Sequence, residues 1–299
     1  MNKQSPLFIG IDGGGTKCSA HLFNAKAEVI GRGIGGSANA SRDIAQTFES
    51  IIESVQMALS NANLAHSCVS QLHVAAGLAG AYIPSANAKL KAWKHPFKCF
   101  ISDTDLTTAS FGAHDGKGGA LLIVGTGSSA ACYQSGKLTQ FGGHGFLLGD
   151  KGGGAWLGRS AVISTLEAFD NVITTTELHN KVMNKLSVSN SDELVQKMIE
   201  ASSSQFAAIA PQVIAAANSN DPIALDLITQ ATQYLEKLAL RALHETDLNL
   251  VLTGGLTEYF EAKFSPELRA RIVKAKNSPE KGALYLLPSQ LTATLFHNE

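Results

Sequence analysis

Asp12, Gly13, Gly14, Gly15, Thr16 and Lys17 fall together in the stretch FIGIDGGGTKCSAHLF (8–23). This is a carboxylate followed by groups suited to a phosphate. Backbone N–H groups freed by glycines form anion-binding concavities, and a threonine hydroxyl adds a donor to phosphate oxygens. A carboxylate at the mouth suits Mg²⁺, which takes few protein carboxylates and fills its shell with phosphate oxygens and water. Asp12 is thus the candidate metal ligand and residues 13–17 a candidate phosphate turn, although Asp before Gly is also a routine turn pair. It is not the P-loop of the nucleotide-binding helix type. Gly10 and Gly15 have the right spacing, but Thr16 intervenes and Lys17 falls one place late. The dinucleotide fingerprint fails as well, at Cys18, where a third glycine is required. The residues that follow, CSAHLF, alternate in polarity and favour strand, so the glycine run reads as a hairpin turn.

A second set of the same kind lies downstream. In 120–143, ALLIVGTGSSAACYQSGKLTQFGG, an apolar strand meets Thr126, Gly127 and Ser128, then an alternating strand, a Gly-Lys turn and a third strand. This repeats the order of 7–33, where EVIGRG supplies the third strand. An internal repeat beginning near residue 118 predicts two related domains, each opening with a glycine hairpin. Two such turns on facing domains could clamp a triphosphate. A third glycine pair, Gly254 and Gly255 in LNLVLTGGLTEYF, follows another apolar strand and allows close approach by a flat ligand such as adenosine.

The elements that must carry these groups alternate. Apolar residues at Ile44, Phe48, Ile51, Ile52, Val55 and Leu59 have a helical period. QLHVAAGLAG reads as a strand entering a small-residue turn, followed by a helix after Pro84. KCFISD is a strand ending at Asp103, and LTTASFGAH a helix whose first turn begins near Asp105. This is the order of an α/β domain. Beyond Gly158 the chain reads as largely helical. PIALDLITQATQYLEKLALRAL presents a broad apolar face, with ELVQKMIEASSSQFAAIAPQVIAAAN a similar case.

Composition narrows the function classes. With 299 residues, 44% hydrophobic, 16% charged and a net charge of −1, there is no electrostatic case for nucleic acid or an acidic membrane surface. Cys18, Cys68, Cys99 and Cys132 are far apart and form no C-x-x-C. That argues against a zinc or iron–sulfur site and fits a reducing compartment. No apolar run is long enough to cross a membrane and no signal-peptide pattern is present, so a cytoplasmic location is expected. Nine histidines show no metal-ligand spacing, and none is assigned to catalysis.

The order Asp-Gly-Gly-Gly-Thr, Gly-Thr-Gly-Ser, Thr-Gly-Gly resembles the two phosphate motifs and the adenosine motif of the actin-like ATPase superfamily. Within it, GGSANA, HVAAGLAGA, TDLTTASFGAH, GDKGGGAWLG and SPEKGAL resemble the bacterial glucosamine kinases and their N-acetylglucosamine kinase relatives, of the BadF/BadG type. The resemblance implies two ribonuclease-H-like domains, 1–117 and 118–299, with the active site in the cleft between them and the last helix packing back on the first domain. It implies ATP and Mg²⁺ as cofactors and phosphorylation of the 6-hydroxyl of an amino sugar, with glucosamine ahead of N-acetylglucosamine. The expected ATP residues are Gly13, Gly14, Gly15, Thr16, Lys17, Thr126, Gly127, Ser128, Gly254 and Gly255.

As general base the residues leave Asp103 and Asp105 open; the family's spacing to the downstream Gly-Ala-His selects Asp105, with Asp103 in support. Asn39, Gly80, Gly143 and Asp150 are carried over as sugar contacts beside Asp105. Two positions depart from the family pattern. Ala79 stands where many N-acetylglucosamine kinases have serine, and Lys151, expected to point to solvent, stands where Glu or Gln is frequent. The expected partners are the sugar and ATP, with a homodimer the expected assembly. Other readings lack a necessary part. A redox ATPase activator of dehydratases needs cluster cysteines. A sugar-responsive repressor needs a helix-turn-helix ahead of the first strand. An actin-like filament protein has no use for Asp105, Asn39 and Asp150 together.

Overall fold

A computed structural model describes residues 5–296, the side chains of Ala293, Thr294 and Phe296 excepted. Two compact units form, one from Met1–Gly118 with Lys274–Glu299, the other from Gly119–Val273.

In the first unit, β1 (Phe8–Gly13), β2 (Cys18–Phe23) and β3 (Val29–Gly35) make the predicted antiparallel ribbon. Parallel to β1 run β4 (His73–Leu78) and then β5 (Cys99–Thr104), giving the sheet order β3-β2-β1-β4-β5. The helix α1 (Ile44–Asn61) starts at Asp43, whose side chain accepts from the Gln46 N–H. It buries Ile51, Val55 and Leu59 on the sheet. Pro84 opens α2 (Pro84–Lys91), and α3 (Asp105–His114) follows β5 directly.

The second unit repeats the pattern. Its strands β6 (Gly119–Val124), β7 (Ser128–Gln134) and β8 (Lys137–Gly142) form the ribbon, while β9 (Leu250–Thr253) and β10 (Ile272–Val273) add in parallel, in the order β10-β9-β6-β7-β8. Both sheets are the same five-stranded mixed sheet, so the internal repeat seen in the sequence is a repeat of topology. The helices are α4 (Gly154–Phe169), α5 (Glu177–Leu186), α6 (Ser191–Met198), α7 (Ser203–Ala207), α8 (Ala210–Asn218), α9 (Pro222–Ala242), α10 (Thr257–Glu261) and α11 (Pro266–Arg269). The stretch 193–218, read as one amphipathic case, breaks into three helices. Ser202 caps a new start with Gln205 in a capping box, and Pro211 fits only the first turn of the next helix.

From Lys274 the chain rejoins the first unit, so that more than the last helix belongs there and the second unit is 119–273 rather than 118–299. The Lys276 and Asn277 N–H groups donate to the carbonyls of Ala113 and Gly112 at the end of α3. Then α12 (Pro279–Ala283), the 3₁₀ turn after it and α13 (Ser289–Phe296) bring Ala283, Leu284, Leu287 and Leu295 against Phe8, Phe23 and Ala75. Burying this second face of the first sheet is the physical reason for the return. Of the tail read as LTATLFHNE, 297–299 lie outside the described residues.

Candidate active site

The parallel register aligns Gly13, Leu78 and Thr104 at the carboxyl ends of β1, β4 and β5, the edge where open α/β sheets bind ligands. Three predicted groups leave the first unit's sheet there: the turn after β1, the loop after β4 and Asp105. The first turn closes by donation from the Gly14 N–H to the Lys17 carbonyl, 2.9 Å. Gly15, Thr16 and Lys17 are exposed. A Cβ on Gly15 would meet nothing within 4 Å, which leaves that face of the turn open to a ligand.

Asp12 lies between Ser19 on β2 and Gly77 on β4. Its carboxylate has no hydrogen-bond partner among the described residues. Burial, and then the charges of Glu280 and Asp105, push its pKa from 3.8 up to about 6, against the opposing pull of Lys17. Among the described residues no group of three or more His, Cys, Asp or Glu could hold a metal on its own. A single unbonded carboxylate beside other negative charge does fit a Mg²⁺ that keeps water and phosphate as its other ligands.

Asp105 opens α3, but it is not the cap. The Thr104 hydroxyl accepts from the Thr107 N–H at 3.1 Å, and Asp103 accepts from the Thr104 N–H at 2.6 Å and the Thr107 hydroxyl at 3.1 Å. Asp103 is thereby committed to holding the start of the helix. One Asp105 oxygen accepts from the Leu106 N–H at 2.9 Å, and burial raises the pKa of the group. Of the two aspartates, Asp105 is the one left available to accept a proton. Gly77 lets α3 come this close: a Cβ there would sit 1.8 Å from Thr108 Oγ1.

Asn39 and Gly80 share one corner of the same unit, with Asn39 bridged to Ala79. The Asn39 Oδ1 accepts from the Ser41 N–H, the Ser41 hydroxyl and the Arg42 N–H, so its NH₂ is the group left to meet a hydroxyl. Gly80 turns with φ +76° against Ser41. Ser41 has no sequence signal beyond its place two residues after Asn39.

In the second unit Thr126, Gly127, Ser128, Gly143 and Asp150 come together. Asp150 Oδ1 accepts from the Gly145 N–H at 3.2 Å, while its Oδ2 lies 2.3 Å from where a Gly127 Cβ would be. The Gly143 N–H donates to the Ser128 carbonyl. Ser128 itself is buried and donates its hydroxyl to the Lys151 carbonyl at 2.7 Å, so its one hydroxyl proton ties the turn to the Asp150 loop; Thr126 is the exposed hydroxyl. Gly254, at φ +111°, backs onto the Val124 carbonyl and Gly255 is open. Lys151 does not extend into solvent as expected. Its ammonium donates to Gln230 Oε1 at 3.3 Å and lies 5.2 Å from the centre of the Trp156 ring.

Residues 9–285 match the BadF/BadG/BcrA/BcrD ATPase family, nearly the whole described chain. The chain belongs to that family. Among curated relatives of this BadF/BadG/BcrA/BcrD ATPase, the glucosamine kinase GspK of Vibrio cholerae is 31% identical over 277 residues, 93% of this chain and 94% of that protein. The N-acetyl-D-glucosamine kinase of Dictyostelium discoideum is 25% identical over 86% of this chain and 87% of its own. A crystal structure from Chromobacterium violaceum, of a candidate N-acetylglucosamine kinase, superposes with a TM-score of 0.89 at 28% identity, covering 95% of this chain and 99% of that one.

Proposed function

We propose that the protein is an ATP-dependent hexosamine kinase of the cytoplasm. It transfers the γ-phosphoryl group to the 6-hydroxyl of glucosamine, with N-acetylglucosamine as the second acceptor. The observation that carries the reading is Asp105, half-buried and freed from capping by Thr104, at the strand edge that also presents Asp12. The likeness to the Vibrio glucosamine kinase supports the choice of amine over amide.

The residues divide the chemistry. Asp105 accepts a hydrogen bond from the acceptor hydroxyl and takes its proton as the new O–P bond forms. Burial keeps it a better base than an exposed carboxylate. Asn39 and Asp150 offer a donor and an acceptor for sugar hydroxyls, and Gly80 and Gly143 present backbone. The turns at 13–17 and 126–128 hold phosphate oxygens with N–H groups, Thr16, Lys17 and Thr126. Gly254 and Gly255 make room for adenosine. Asp12 is the residue to hold Mg²⁺, which when bound neutralises charge on the transferring phosphoryl group. Phosphoryl transfer requires positioning more than a strong base, so a carboxylate is sufficient for the role.

Coupled ADP release with ATP and Mg²⁺ tests this, comparing glucosamine, N-acetylglucosamine, glucose and no sugar. Turnover highest with glucosamine is expected. Nucleotide binding with no sugar-stimulated turnover would overturn the kinase reading.

A further inference from the structure

The stretch SPEKGAL has no role in the reaction described so far, yet it puts a carboxylate beside Asp12. Glu280, in α12, is buried. Its Oε1 accepts from the Ser19 hydroxyl at 2.6 Å, and His21 Nε2 stands 3.7 Å away. Ser19 is the cross-strand partner of Asp12, and His21 lies two residues further along the same face of β2. The approach depends on Gly10, the partner of His21, because a Cβ there would lie 1.8 Å from the Glu280 carbonyl oxygen. So a glycine in β1 admits the start of α12, and a serine in β2 aims the carboxylate.

An anchor for the returning segment would not need this charge. Two apolar side chains or a serine–amide pair would hold α12 on the sheet without placing a buried anion next to another carboxylate. Burial works against protonation of His21. Against its own burial, the hydrogen bonds from Ser19 and Ser278 hold the Glu280 carboxyl below its usual range, so it stays charged beside Asp12, whose carboxyl is pushed up. Like charges this close cost stability unless a cation joins them.

We propose that Glu280 is a positioning residue for the divalent cation of the reaction. Fixed by Ser19, it acts on the ion held by Asp12 through the ion's water ligands. The inference rests on the kinase reading only for the presence of metal-nucleotide. Outer-shell partners of this kind typically change metal affinity by about 10- to 100-fold.

The test is Mn²⁺ binding, followed by electron paramagnetic resonance in the presence of a non-hydrolysable ATP analogue, in the full chain and in Glu280→Gln, Ser19→Ala and Asp12→Asn. Glutamine keeps the shape and an acceptor for Ser19 and removes only the charge. Glu280→Gln is expected to weaken Mn²⁺ by about 10-fold or more, and Ser19→Ala to weaken it less. Wild-type Mn²⁺ affinity in Glu280→Gln, with only the melting temperature altered, would leave Glu280 an anchor and overturn the inference while the kinase reading stands. Wild-type affinity in Asp12→Asn would overturn it too, by moving the ion elsewhere. A wild-type protein that binds no Mn²⁺ with nucleotide refutes the kinase reading itself.

Discussion

Gly77→Ala is the substitution that most directly tests how Asp105, the proposed base, is positioned. The new Cβ would lie 1.8 Å from Thr108 Oγ1 and 2.8 Å from its Cβ and Cγ2. Carbon atoms in contact prefer roughly 3.5–4.0 Å, so something must move by on the order of 1 Å. Thr108 is fully buried and its hydroxyl donates to the Asp105 carbonyl, which leaves a shift of α3 as the available relief. Overpacking of this kind costs about 1–3 kcal/mol, which for a chain of this size lowers the melting temperature by roughly 3–10 °C. A 1 Å displacement of Asp105 should lower kcat by about 100-fold. Thr108→Ala in the same chain removes the two offending γ atoms and should restore part of both losses. A coupling energy of at least about 1 kcal/mol is expected from the double-mutant cycle. Thermal unfolding and coupled ADP release read the two effects. Wild-type values in Gly77→Ala, or losses that merely add when Thr108→Ala is introduced, would refute the argument that α3 is seated through this contact.

Asp105→Asn should lower transfer by at least about 100-fold while an ATP analogue still binds; calorimetric loss of nucleotide binding would make the residue structural instead. Gly127→Ala should raise the sugar KM as well as that for ATP, because its Cβ would meet Asp150 Oδ2 at 2.3 Å; steady-state kinetics with each substrate varied decide it. Asp12 sets a pH dependence in the metal-free protein. Its folded pKa of about 6 exceeds the ordinary 3.8, so the native state holds the proton more tightly. That contribution, up to about 3 kcal/mol, is complete below about pH 4 and is lost as pH rises through about 6. Melting temperatures from pH 4 to 7.5 should therefore fall less in Asp12→Asn than in wild type. Lys151→Gln should change the glucosamine to N-acetylglucosamine ratio of kcat/KM by less than about threefold, roughly 0.6 kcal/mol, since Gln230 and Trp156 already hold the ammonium; a larger change would place Lys151 at the sugar.

The groups on strands and their turns were legible in the sequence because period-two alternation and glycine turns are local signals. Residues 8–23 and 120–143 announced both ribbons and both glycine turns, and strand register alone then carried Asp12, Gly80 and Asp105 to one edge. What pattern could not supply was tertiary. Gly31, Gly33 and Gly35 carried no sequence signal of their own, yet each is the gap that lets a backbone carbonyl of α1 approach: Ala58, Ser54 and Ser50 in turn. The break of 193–218 into three helices lay in one capping serine and one proline within a stretch of helix-forming residues. Glu280 was invisible for a different reason. A Glu after Ser-Pro is an ordinary helix start, and only the return of α12 onto Gly10 makes it a neighbour of Asp12, across some 270 residues of chain.

The same five-stranded scaffold has been given opposite electrostatics in the two units. In the first, the ribbon and the elements around it gather Asp12, Asp105 and Glu280, and burial together with the other two charges pushes the Asp12 carboxyl up. The equivalent ribbon of the second bears no acid on the β6 or β7 strands, and its glycine turn 125–128 is neutral. There the Gly154 and Ala155 N–H groups at the start of α4 donate to the Gly125 and Thr126 carbonyls, and Asp150 arrives only from the following loop. Under the proposed reading, repetition of the fold fixes where each turn sits, and the charge on the adjoining strand decides whether that turn serves metal or phosphate alone. Exchanging the characters tests this: Asp12→Ser, copying the uncharged second ribbon, should abolish Mn²⁺ dependence of nucleotide binding while leaving metal-free binding of the nucleotide within about threefold, roughly 0.6 kcal/mol. Equal loss of both would mean that Asp12 shapes the turn rather than holding the ion.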